Sequence, residues 1–152
     1  MNSKIFSTTV YEGIEESVTD YLRQKKDFLS IEAAGSPRAV GDILQTLIGK
    51  QFGSILGNNA GKYSDDFARR SMADIAFSDI DENYVLIDIK THNLDTKFNM
   101  PNLTSVERLA RLYEDDKNYF SVLYVSYRIV GSEFEVQKVH FLPVENLSWT
   151  CL

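Results

Sequence analysis

Ala73-Asp74-Ile75-Ala76-Phe77-Ser78, then Asp79-Ile80-Asp81-Glu82-Asn83, then Tyr84-Val85-Leu86-Ile87-Asp88-Ile89-Lys90-Thr91 is the stretch that decides the fold. The first six residues alternate, with Ile75 and Phe77 on one face and Asp74 on the other. The middle five are turn formers. The last eight place Val85, Ile87 and Ile89 on one side and Leu86, Asp88 and Lys90 on the other. This pattern predicts a hairpin with one fully apolar face and a second face interrupted by charge. Burying unpaired charge on a strand costs several kcal/mol, so Asp88 and Lys90 need a reason to be there.

Downstream of the hairpin, Tyr119–Val130 and Phe134–Leu142 are rich in aromatic and β-branched residues and are separated by Gly131 and Ser132, which predicts a second hairpin. Between the two hairpins, Thr104 with Glu107 matches a capping box, and Val106, Leu109, Ala110 and Tyr113 form a helical stripe. Upstream, Ile14, Val18, Tyr21 and Leu22 recur at helical spacing within Thr9–Phe28. Ser36 and Pro37 supply the N-cap and first turn of a helix whose stripe is Val40, Ile43, Leu44, Leu47, Ile48 and Phe52. Gly49, Gly53 and Gly57 then mark either close backbone approach or the end of this helix. Asn58–Met72, with Lys62, Arg69 and Arg70, reads as a loop or frayed helix, and His92–Leu103, which holds Pro101, as a long irregular segment. The expected architecture is a mixed α/β (α+β) fold, a central mixed β-sheet flanked by helices, in a single domain spanning residues 1–152.

A chain of 152 residues with 43% hydrophobic side chains can bury a core without crosslinks. The lone Cys151 has no internal disulfide partner, no run approaches the roughly 20 apolar residues of a membrane span, and the first residues lack a secretory pattern. A cytoplasmic protein that does not enter the membrane is therefore expected. The net charge of −6 argues against a partner held by general electrostatics alone. That objection weakens if the acidic residues include a metal site.

Two carboxylates on neighbouring strands, Asp74 and Asp88, are a donor set for one hard divalent cation, with magnesium the best match and manganese a substitute. Lys90, two residues beyond Asp88, shares its face and can reach the same phosphate or attacking water. Such a trio suits phosphodiester hydrolysis, with Lys90 acting as base or as electrostatic stabiliser. The plain alternative is a structural Asp88–Lys90 ion pair. His140 reads as a strand residue, Trp149 as a core anchor, and the Tyr119–Tyr127 aromatics as a buried strand rather than a base-stacking platform. No zinc-ligand spacing occurs.

The run Ala73-Asp74-Ile75, Leu86-Ile87-Asp88-Ile89-Lys90-Thr91 and Met100-Pro101-Asn102 resembles type II restriction endonucleases of the PD-(D/E)xK superfamily, in particular the HincII group and more loosely EcoRV. From Asp88 to Asn102, including Asn93, the register is ungapped. A weaker echo is Ala33-Ala34-Gly35-Ser36-Pro37. The resemblance implies a restriction-endonuclease-like core in which Asp74 and Asp88 are metal ligands joined by the backbone carbonyl of Ile89, and Lys90 is the catalytic lysine. It implies DNA contacts by Asn93, by Asn99 in the place of an intercalating glutamine, and by Asn102 in that of a base-reading asparagine. An accessory acid found in many relatives has two candidates here, Asp42 and Glu32, and His92 stands where the HincII-like strand has arginine. The implied activity is magnesium-dependent, sequence-specific cleavage of double-stranded DNA by a homodimer whose symmetry matches a palindromic site. A repair or junction-resolving nuclease on the same core and a non-catalytic protein-binding domain are the alternatives. The chain is markedly shorter than those enzymes, which leaves open a core fragment of a longer enzyme or a compact endonuclease.

Overall fold

The structure is a computed structural model and describes residues 3–25, 27–64, 72–97 and 104–147. Helix α1 spans Thr8–Arg23, a one-turn α2 spans Ile31–Ala34, α3 spans Pro37–Leu56 and α4 spans Val106–Leu112. Five strands, β1 (Ala60–Ser64), β2 (Ile75–Asp79), β3 (Tyr84–Asn93), β4 (Asn118–Val130) and β5 (Glu133–Pro143), form one sheet in the order β1-β2-β3-β4-β5. Neighbours are antiparallel except β3 and β4, which run parallel and are joined by the crossover through α4. The sheet is therefore mixed and flanked by helices, with β3 at its centre.

Alternation sorts the side chains as the sequence predicts. Val85, Ile87 and Ile89 of β3, Ile75 and Phe77 of β2, and Leu123, Val125 and Tyr127 of β4 pack against Ile14, Val18 and Leu22 of α1 and Val40, Leu44, Ile48 and Phe52 of α3. The opposite face holds a smaller cluster, in which Ala76, Leu86, Phe120 and Val122 lie under Leu109 of α4 and Val144. One face is thus sealed by two long helices, and the other is covered by a two-turn helix.

Ser36 caps α3, its hydroxyl accepting from Ala39 N–H at 3.3 Å, and Pro37 occupies the first turn. Two of the three spaced glycines have separate tasks. Gly57 ends α3 at φ +52°, a conformation that L side chains adopt at a cost. Gly53 admits the Tyr63 ring, since a Cβ there would lie 3.2 Å from it.

Several expectations shift. The stretch read as a connector contains β1, an edge strand with Gly61 as its second residue and no apolar alternation to announce it. Strand β3 runs on through His92 and Asn93, which the sequence places in an irregular segment, because β4 continues to pair with it there. The first helix closes at Arg23 rather than Phe28. Ser105, not Thr104, caps α4, accepting from Arg108 N–H at 3.2 Å, and Glu107 pairs with Arg111 instead of reaching back. Consequently Val106 and Ala110 are exposed, and the buried stripe of α4 is Leu109 with the half-buried Leu112 and Tyr113. No helix among the described residues is long and apolar enough to cross a membrane.

Candidate metal and phosphodiester site

β2 and β3 pair as Ile75 with Ile87 through Ser78 with Tyr84, and continuing that register by one residue sets Asp74 opposite Asp88. Asp74 N–H donates to the Ile87 carbonyl at 2.9 Å, which is the last backbone bond before β2 ends. Beyond it no strand among the described residues pairs with the β3 edge on that side. Successive hydrogen-bonding residues of a strand lie two apart, so the N–H and C=O of Ile89 project into this opening. Side chains satisfy them instead: Ile89 N–H donates to Asp74 Oδ2 at 2.7 Å, and Gln45 Nε2 of α3 donates to the Ile89 carbonyl at 3.3 Å.

Asp88 is 9% exposed, and its Oδ2 lies 2.8 Å from Lys90 Nζ, on the same face of β3. Asp74 is half-buried. Burial pushes its carboxyl up and the Ile89 N–H pulls it down. The facing Asp88, by charge and by hydrogen bond, then outweighs the relief from Lys90, so the group titrates at about 6 instead of 3.8. Two acids share a recess in which one ammonium balances about one of them. A small divalent cation would answer that excess charge, and the donors present, two carboxylates and a carbonyl with a second lone pair, are of the oxygen type that magnesium takes.

Asp74, Asp88, Lys90 and the Ile89 carbonyl are thus brought together. Asp42 stays exposed on α3 and Glu32 on α2, and among the described residues no third His, Cys, Asp or Glu joins a metal-binding group. Asn93 closes β3, its side-chain oxygen accepting from Asp95 N–H at 2.9 Å in a local turn. Asn99, Asn102, Arg69, Arg70, Trp149 and Cys151 lie outside the described residues. His140 is a strand residue, with Nδ1 3.9 Å from Glu15 Oε1. Gln45 was not foreseen. Its one signal is a polar residue next to the buried Leu44, at the margin of the α3 stripe, and nothing in sequence spacing points that residue at Ile89. The sequence matches no protein-family model and no curated protein.

Proposed function

We propose that the chain is a magnesium-dependent endonuclease acting on double-stranded DNA, with Asp74, Asp88 and Lys90 at its centre. The observation that carries this reading is the facing of Asp74 and Asp88 where β2 ends, with the Lys90 ammonium 2.8 Å from Asp88 on the same face. Asp74, Asp88 and the Ile89 carbonyl would hold magnesium, or manganese in its place. When bound, the ion neutralises phosphate charge and lowers the pKa of a coordinated water.

The chain's own groups do the rest. Asp88 anchors the Lys90 ammonium by one of its three N–H donors, and the remaining two suit a phosphate oxygen or the attacking water. Held beside the phosphate, that ammonium stabilises the negative charge that develops during in-line displacement. Gln45 and Asp74 together hold the Ile89 peptide in orientation. The overall negative charge is less of an obstacle than its size suggests. Glu12, Glu15, Glu16 and Asp20 line a groove of about 520 Å³ between α1 and β5, and α1 packs on the opposite face of the sheet from Asp88. Base readout by Asn99 and Asn102, and a homodimer bringing two centres to opposite strands, complete the proposal.

Incubating plasmid DNA with the protein and magnesium, beside Asp88→Ala and Lys90→Ala, tests this reading. Discrete fragments from the parent and none from either variant are expected. Intact plasmid with the folded parent in both magnesium and manganese would leave Asp88 and Lys90 as a structural pair.

A further inference from the structure

Along β3, the residue before Asp88 on the same face is the buried Leu86, which lies at the bottom of a groove of about 480 Å³ beside α4. Met72, two residues before Asp74, lines it too, with Tyr84, Leu112 and Asn118. Above that lining stand Arg108 and Arg111, on successive turns of α4. Arg108 is exposed and has no ion-pair partner among the described residues. Arg111 pairs with Glu107 at 2.6 Å, but both side chains are about three-quarters exposed. An exposed pair of this kind is weak and yields readily to a better anion.

We infer that this groove seats the nucleotide flanking the cut bond, with Arg108 and Arg111 gripping its phosphate. The inference rests on the nuclease reading of Asp74, Asp88 and Lys90, and adds where the strand lies beside them. Two residues of strand separate Leu86 from Asp88 by roughly 7 Å. Charges on one DNA strand recur roughly every 3.4 Å of helix axis. A strand whose phosphate sits at the carboxylates therefore presents its next phosphate or two over Leu86, beneath the arginines. The guanidinium fork matches phosphate oxygens, and the half-buried Met72, Tyr84 and Leu112 offer apolar surface to a sugar face. No base edge is read in this arrangement, so the grip is independent of sequence.

The test measures binding of a mixed-sequence DNA duplex by fluorescence anisotropy over a series of salt concentrations, with calcium replacing magnesium. The proteins compared are the parent, Arg108→Ala/Arg111→Ala and Arg108→Lys/Arg111→Lys. Plasmid cleavage in magnesium gives kcat and KM for the same three. The double alanine variant is expected to raise Kd and KM by on the order of tenfold or more with kcat little changed. It should also flatten the dependence of log K on log salt by about one to two, and the lysine variant should restore the salt slope. Since both arginines are exposed, the variants should melt with the parent. Unchanged Kd and salt slope in the alanine variant, with a parent that cuts plasmid, would overturn the groove and leave the nuclease reading standing. A parent that binds duplex through these arginines yet never cuts would uphold the groove and remove that reading. A parent that neither binds nor cuts would end both.

Discussion

Strand β2 carries an aspartate at each end, and the two are treated in opposite ways. Asp79 is buried and surrounded by donors: Asp81 N–H and Asn83 N–H reach its Oδ1 at 2.9 Å, the Asn83 amide reaches both oxygens, and the Ser3 hydroxyl donates to Oδ2. Burial alone would raise its pKa, but the bonds from Ser3 and Asn83 outweigh burial and hold the carboxyl below its ordinary value. Asp74 receives one backbone N–H and faces another carboxylate, and it is pushed up to about 6. The first arrangement stabilises a hairpin turn, whose Glu82 sits at φ +61°. The second weakens the fold where Asp74 is ionised, a cost that the proposed role as a metal ligand accounts for.

The largest difference between the two should appear in catalysis. Asp74→Asn is expected to slow plasmid cleavage by about a thousandfold, the loss of several kcal/mol of metal-dependent stabilisation, whereas Asp79→Asn, assayed well below its melting temperature, should stay within a few-fold of the parent. Comparable losses in both would erase the distinction. Next in size is stability. Asp79→Ala strands the Asn83 and Asp81 N–H groups and the Ser3 hydroxyl and should cost about 2–4 kcal/mol in urea unfolding. Asn83→Ala removes only the amide contacts and should cost about 1 kcal/mol. Acid sharpens the contrast. Because its folded pKa is depressed, Asp79 contributes stability that is complete above pH 3.8 and lost as pH falls through the folded value, so Asp79→Asn should flatten the acid limb of the parent's stability curve.

The sequence sets Asp79 in a turn and Asp74 on a strand face, but nothing local shows how either carboxylate is partnered. Alternation exposed the faces of β2 and β3, and with them the shared face of Asp88 and Lys90, because the strand period is a property of the backbone. It could not reveal Ser3, which comes from the far end of the chain to close on Asp79, nor Gln45, which a helix brings to Ile89. Strand β1 escapes sequence reading because an edge strand of Ala, Gly, Lys, Tyr and Ser has no apolar face to write into the sequence. Thr104 and Ser105 are equivalent capping chemistry, so spacing alone does not tell which of them caps α4.

The most direct test of the claim that Asp74 is held for binding is the stability of metal-free parent and Asp74→Asn, measured in EDTA from pH 4 to pH 7.5. The folded carboxyl titrates near 6 and the unfolded one near 3.8, so the fold prefers the protonated form. Its unfavourable contribution is absent below about pH 4, grows between pH 4 and 6, and is complete above that window. Asparagine keeps an oxygen for the Ile89 N–H and carries no charge. The variant should therefore match the parent at pH 4 and exceed it at pH 7.5 by on the order of 2 kcal/mol, a figure reduced for the partial exposure of the carboxyl. A variant less stable than the parent at pH 7.5, or a gap that does not change with pH, would show that Asp74 supports the fold and contradict its reading as a metal ligand held at a cost.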